Sequence, residues 1–180
     1  LPMITSCSPG WVKFAEYYYP DQLDHLSSCK SPMQMTGAVI KSYYAKQAGI
    51  DPKDIVTVAV MPCTAKKFEI GRDEMEGAGY PDNDISITTR ELSRMIMRAG
   101  INFTALPDEE FDSPLGDDTG AAVIFGATGG VMEAALRTAN DWLTGEEQTN
   151  VDFTACRGMD SVKEATVTIK GNPVKIAIAS

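Results

Sequence analysis

The run Val58-Ala59-Val60-Met61-Pro62-Cys63-Thr64-Ala65-Lys66-Lys67-Phe68-Glu69 constrains this chain more than any other stretch. Its first half is nearly continuous in apolar residues, as strands buried on both faces of a parallel sheet are. Its second half turns at a proline and carries a thiol, two ammonium groups and a carboxylate. Parallel α/β sheets bind ligands at the carboxyl ends of their strands. A buried strand over residues 55–61 therefore puts Cys63 where such a fold places chemistry.

Local signals extend the pattern in both directions. A hydroxyl residue followed by proline is a helix N-cap and first-turn signature, so Ser8-Pro9 starts a helix over residues 9–19 with Cys7 and Ser8 at its positive end. Ser31-Pro32 repeats the signal, and Met35, Val39, Ile40, Tyr43 and Tyr44 recur at helical spacing until Gly49 closes the helix. Asp51-Pro52-Lys53-Asp54 is a turn. Residues 71–84 are rich in glycine, proline and acidic side chains and read as an exposed loop before a short strand at 85–87. Thr88-Thr89-Arg90-Glu91 opens a helix to Arg98, and the acidic residues 107–119 form a solvated surface loop. Residues 120–125 read as another strand, followed by Gly126-Ala127-Thr128-Gly129-Gly130 and a helix over 131–143. Further strands are expected at 151–155, 165–169 and 174–178, the last two joined as a hairpin by Lys170-Gly171-Asn172-Pro173. The recurring order of strand, loop and helix gives an α/β class: mostly parallel sheets flanked by helices, with a C-terminal β-hairpin.

Charge and length narrow the function classes. A chain of 180 residues, 43% of them hydrophobic, can bury the core of one domain, and a formal charge of −9 opposes both a phosphate-tracking nucleic-acid surface and anionic lipid. A cationic or redox protein partner suits it better. No apolar run approaches the ~20 residues that span a bilayer, and no basic secretory segment precedes Met3, so a cytoplasmic location is expected. The start at Leu1 and an apolar run that stops at Ser180 without a closing turn read as a piece of a longer protein, with residues 1–180 forming one partial domain.

The cysteines at 7, 29, 63 and 156 lack the paired spacing of a zinc site, and a single histidine, His25, leaves few routes to histidine catalysis. An isolated cysteine is most often a small buried apolar residue, the category that also fits Cys156, as a structural role fits His25. Position separates Cys7, at a helix N-terminus that favours thiolate, and Cys63, at a strand end. Thiolates without histidine are the usual ligands of iron-sulfur clusters. A buried lysine is costly unless it faces an anion, so Lys66 in this turn points to a negatively charged ligand, while Lys67 points into water. Glu69 can hold either lysine or form a solvated pair. The glycines at 126, 129 and 130 let a backbone approach a ligand and expose helix amides to an anion, or serve tight packing between the strand and the helix.

Three of these stretches carry a resemblance to a known family. Thr5-Ser6-Cys7-Ser8-Pro9-Gly10-Trp11, Met61-Pro62-Cys63-Thr64-Ala65-Lys66-Lys67-Phe68-Glu69 and the segment from Phe125 through Gly130 to Ala135 resemble the first two signature motifs and the glycine loop of iron-only (FeFe) hydrogenases. The resemblance covers essentially the whole chain. It implies an incomplete catalytic domain of the hydrogenase large subunit. The cofactor would be the H-cluster, a 4Fe-4S cubane joined through a cysteine sulfur to a two-iron centre with CO and cyanide ligands, which interconverts protons, electrons and hydrogen.

Residue by residue, Cys63 resembles a cubane ligand and Lys66 the lysine that hydrogen-bonds a cyanide. Met61 resembles a residue packed near the two-iron centre, Pro32 one that lines the cyanide pocket, and Phe125, Gly126, Gly129 and Gly130 part of the cavity wall. The family often has adjacent cysteines in its first motif, one a proton relay and one a ligand. By position Cys7 matches the relay and Ser8 the ligand, and Cys7 itself or Cys29 are the alternatives for the missing sulfur. Met33 stands where the family often has glutamine, with Gln34 next to it. The family's third cysteine motif would follow Ser180 and its cluster-bearing region would precede Leu1, so the 180 residues alone are expected to retain no cofactor. The resemblance implies ferredoxin, or a nicotinamide-linked subunit, as the electron partner. A hydrogenase-like iron-sulfur assembly factor and a hydrogen-sensing relative are the alternatives. All of these assignments require that the Cys63 turn and the Cys7 helix entrance converge, with the Lys66 ammonium directed inward.

Overall fold

Ser8 and Pro9 start the first helix as their chemistry predicts. In the computed structural model, which describes residues 2–117, 120–145 and 162–179, the Ser8 hydroxyl caps α1 (Pro9–Tyr18) by accepting from the Trp11 amide at 3.3 Å. Two units divide the chain, Leu1–Leu115 and Gly116–Ser180.

In the first unit the helix expected up to Gly49 is built of three pieces. α2 (Pro32–Val39) passes through a π turn at Ile40–Tyr44 into α3 (Ala45–Ala48), which ends at Gly49 with φ of 66°. The π turn holds Lys41, a buried lysine whose Nζ donates to the Ile55 carbonyl at 2.5 Å and lies 2.9 Å from an Asp84 carboxylate oxygen. Burial pushes the Asp84 carboxyl up, but the Thr57 amide, the Lys41 ammonium and the Thr57 hydroxyl outweigh it and leave its pKa below the usual value.

These bonds explain the first correction. β1 covers only Val58–Met61, pairs in parallel with β2 (Ile85–Thr88) and is not buried: Val58 is 50% and Val60 39% exposed. Residues 55–57 do not extend the ladder, because the Ile55 carbonyl accepts from Lys41 and the Thr57 amide donates to the Asp84 carboxylate. α4 is a single turn, Lys66–Glu69. α5 (Thr89–Arg98) begins with a capping box in which Thr88 and Glu91 satisfy each other's backbone amides at 3.2 and 2.7 Å.

The loop over 71–84 is a second correction, since its end is not exposed. Asp82 is 0% exposed and Asn83 is buried. The Asn83 amide donates to the Met33 carbonyl at 3.0 Å and to Gln34 Oε1 at 3.1 Å, the Thr57 hydroxyl donates to the Asp82 carbonyl, and Lys30 pairs with the Asp82 carboxylate. The loop lies so close to α2 that a Cβ on Gly37 would come within 2.1 Å of the Asp82 carbonyl oxygen. Only glycine permits that approach.

The second unit holds the third correction. Residues 120–125 are not a strand but the short helix α6 (Ala121–Phe125), entered from Gly120 at φ of 77°. A five-residue apolar run has no periodicity that separates strand from helix, and here it packs against α7 (Gly130–Thr144) at a glycine. A Cβ on Gly130 would lie 1.8 Å from the Ile124 carbonyl oxygen. β3 (Val162–Ile169) and β4 (Asn172–Ala179) form the expected antiparallel hairpin, turned by Lys170 and Gly171 at φ of 49° and 78°, the left-handed pair that a two-residue hairpin turn requires. Ile178 anchors its apolar cluster with Met132, Leu136, Ala165, Val167 and Ile176. The strand expected at 151–155 and Cys156 lie outside the described residues. The architecture is thus mixed α/β, with a parallel strand pair among helices and a C-terminal antiparallel hairpin. Among the described residues no helix is long and apolar enough to cross a membrane.

Two outcomes follow. Gly37→Ala should destabilise the protein by about 3 kcal/mol in denaturant unfolding, because the added methyl overlaps backbone that cannot yield. The Lys67 ammonium and the Thr88 amide hold the Glu91 carboxyl at about 2, down from 4.5, so the stability it contributes is complete above 4.5 and is lost as pH falls towards 2. Amide exchange at the start of α5 should accelerate over that window, and Glu91→Gln should flatten the dependence.

Candidate functional site

The site grows from the end of β1. After Met61 the chain turns through Pro62 and Cys63 into α4, with the Lys66 amide bonded to the Cys63 carbonyl. Successive helical residues point about 100° apart, which sends Lys66 inward and Lys67 outward. Lys66 is 4% exposed, and its Nζ lies 2.9 Å from Glu69 Oε2 and donates to the Cys7 carbonyl at 2.6 Å. The Ser31 hydroxyl donates to the same Glu69 oxygen at 3.0 Å, and Glu69 is 6% exposed. Lys67 does not simply face water but pairs with Glu91 at 2.6 Å on the surface.

Three segments far apart in sequence therefore meet at one buried ion pair: the Cys7 entrance to α1, the Ser31-Pro32 start of α2 and the Cys63 turn. The two charges neutralise each other, and Ser31 supplies a further donor to the carboxylate. Such a pair gains little over apolar packing, yet removing one partner strands a buried charge at a cost of roughly 3–5 kcal/mol. Beside it a cavity of about 340 Å³ is lined by Ser6, Pro9, Cys29, Ser31, Glu69 and Met75 among others.

Sequence reasoning missed part of this arrangement. Ser31 looked like an N-cap, but its side chain makes no capping bond and turns to Glu69 instead. Asn83 gave no signal at all. Its bond to Gln34 Oε1 leaves Gln34 Nε2 buried with no partner among the described residues, a donor of the kind that meets a ligand or water. Met33 is buried beside it, with its carbonyl held by Asn83. His25 bonds the Pro2 carbonyl through Nδ1 at 3.0 Å, as a structural residue would.

The cysteines among the described residues are free thiols, Cys7 and Cys29 exposed and Cys63 half-buried. Ser8 already spends its oxygen on the α1 cap. No group of three or more His, Cys, Asp or Glu side chains among the described residues is placed to hold a metal ion. Among the described residues the donor chemistry, a soft sulfur at 63 with further thiols at 7 and 29, fits part of a cluster site and does not complete a four-sulfur set. In the second unit Phe125 ends α6, Gly126 follows it, and Gly129 at φ of 80° and the buried Gly130 open α7, so the glycine loop joins two helices and does not follow a strand.

Residues 1–180 match the family model described as iron only hydrogenase large subunit, C-terminal domain. The chain is 56% identical over 179 residues to the NADP-reducing hydrogenase subunit HndD of Solidesulfovibrio fructosivorans, covering 99% of this chain and 31% of that protein. It is 53% identical over 178 residues to the periplasmic Fe hydrogenase large subunit of Nitratidesulfovibrio vulgaris, covering 99% and 42%. The apo FeFe-hydrogenase HydA1 of Chlamydomonas reinhardtii, solved as a single-residue variant, superimposes with a TM-score of 0.72 at 47% identity over 94% of this chain and 42% of that one. This chain belongs to the iron-only hydrogenase large-subunit family.

The hydrogenase relatives are oxidoreductases by name, and the chain spans less than half of their length. A more distant match, 41% identical over 117 residues, is the cytosolic Fe-S cluster assembly factor NAR1 of Phaeosphaeria nodorum, covering 59% of this chain and 18% of that protein. Within this hydrogenase-family chain the α1 cap tests how Ser8 is used. Ser8→Ala should cost about 1 kcal/mol in thermal or denaturant unfolding of the cluster-free protein, the value of a lost N-cap.

Proposed function

We propose that this chain is part of a hydrogenase that catalyses the reversible reduction of protons to hydrogen at a six-iron H-cluster. The observation that carries the reading is the buried Lys66 ammonium between the Cys63 turn and the Cys7 carbonyl. Lysine has three N–H donors, and the Cys7 carbonyl and Glu69 take two of them, which leaves one for an anionic ligand such as a cyanide. When bound, the cluster supplies the electrons and the open iron position at which protons and hydrogen interconvert.

The chain's own residues would bind and orient. Cys63 would give a thiolate to the cubane, with Cys7, Ser8 or Cys29 as candidates for another ligand. Met61 and Pro32 would pack against the two-iron end, with Phe125, Gly126, Gly129 and Gly130 as part of the wall. Cys7 is the candidate relay, since a thiol releases and takes back a proton more readily than a serine hydroxyl does. Ferredoxin or a nicotinamide-linked subunit would deliver electrons, with a cytoplasmic location. A hydrogen-sensing relative of low turnover is a variant of the same reading. The assembly-factor reading draws on the NAR1 match over 59% of the chain and on the assembly factor narfl of Xenopus tropicalis over 97%, but that wider match is 32% identical where the hydrogenase HndD is 56% identical over 99%.

The test is hydrogen-dependent dye reduction by the protein at its full encoded length after cluster loading. Turnover should fall by about 100-fold or more in Cys7→Ala and in Lys66→Met, as expected when a proton relay or a ligand donor is lost. Residues 1–180 expressed alone should show neither stoichiometric iron nor turnover. A loaded full-length protein that holds iron and sulfide but reduces no dye would favour the assembly factor.

A further inference from the structure

The segment that carries Cys7 is poorly tied to the rest of the fold. Upstream, Ile4 is fixed by bonds from its amide to the His25 carbonyl and from the Ser27 amide to its own carbonyl, both 2.7 Å. Downstream, α1 begins at Pro9. Between them the bonds are local, from the Ser8 amide to the Ser6 hydroxyl and from the Trp11 and Val12 amides to Ser8. The one long-range hydrogen bond onto residues 5–8 among the described residues comes from Lys66, 59 positions away.

Lys66 can hold that carbonyl only if its own long side chain is fixed. Its four-carbon stem has rotamer entropy to lose, which a single bond to a carbonyl barely offsets. Glu69 supplies the second anchor with its charge, and Ser31 fixes the carboxylate rotamer in turn. Glu69 is 6% exposed, so its pairing with Lys66 is little screened by bulk solvent. We propose that Glu69 and Ser31 are positioning residues: acting through Lys66, they set where the Cys7 backbone lies relative to the Cys63 turn. The geometry stands by itself, and its meaning for proton delivery rests on the hydrogenase reading above.

The experiment uses the full-length protein without its cluster, so that failure of the hydrogenase reading leaves it interpretable. The readout is the NMR backbone order parameter of Cys7. It should fall from about 0.85 to about 0.6 in Glu69→Ala and in Ser31→Ala, the change from rigid to flexible backbone. Ser31→Thr, which keeps the hydroxyl, should restore the wild-type value, an effect that loss of general stability would not reproduce. Order parameters in α5 serve as the fold control, and Glu69→Gln takes the place of Glu69→Ala if the latter does not fold. Unchanged Cys7 order in the folded Glu69 and Ser31 variants overturns the proposal. The hydrogenase reading is tested separately by the cyanide infrared bands of the loaded protein. If those bands are absent or do not move in Lys66→Met, that reading falls while the Cys7 result stands.

Discussion

A buried ammonium persists only where its protons meet acceptors, and that requirement ties the first unit together. Lys66 and Lys41 are both almost fully withdrawn from water, and each pairs with a carboxylate and bonds a backbone carbonyl brought from elsewhere in the chain. Lys41 joins the π turn after α2 to Ile55, upstream of β1, and to Asp84, the residue before β2. Lys66 joins the Cys63 turn to the entrance of α1. Two lysines thus set the relative placement of elements that a four-residue parallel pair could not hold by ladder bonds alone.

Polar burial of this kind buys definition more than stability. An apolar cluster tolerates a shift of a side chain at small cost, whereas a charged hydrogen bond loses much of its value once its angle or distance is wrong. The apolar side chains fully buried in this unit are small or few, Ala15, Met33 and Ala45 among them, so apolar packing supplies little of the definition. Glycine makes the arrangement possible at Gly37, where the Asp82 backbone lies against α2. That contact brings Asn83 to Met33 and Gln34, directly after the Pro32 start of the same helix. The start of α2 is therefore held by a loop from a distant part of the sequence.

What could be read from sequence was what local chemistry dictates. The Ser8-Pro9 start, the Thr88/Glu91 box and the Lys170-Gly171 turn each have their partners within a few residues, and all three occur as expected. The Lys66–Glu69 pair was legible as an option because three positions bring side chains together on one helical turn. Three other features were not legible. An apolar run as short as 121–125 satisfies strand and helix equally, Asp82 and Asn83 have the composition of a solvated loop, and Ser31 offers the cap signature while its hydroxyl is used 38 positions away. For Asp82, Asn83 and Ser31 the deciding partner is distant in sequence, where neither propensity nor spacing carries information. The approach of Lys66 to Cys7 belongs to that class too, and only the resemblance to a family anticipated it.

Ser8 shows how far such geometry can go in deciding chemistry. Its oxygen accepts from the Trp11 amide, a cap worth about 1 kcal/mol, which is too little to keep a strong metal ligand from being used. Softness is the stronger constraint. A serine oxygen is a hard donor with a proton that is difficult to remove, while iron-sulfur clusters select thiolate, and Cys7 and Cys29 both carry free, exposed thiols. Ligation by Cys7 would take its sulfur out of proton transfer, and ligation by Cys29 would leave it available. Cys29 lines the cavity that Ser31 and Glu69 also line, whereas Cys7 has its carbonyl held by Lys66, so the two thiols stand in different surroundings.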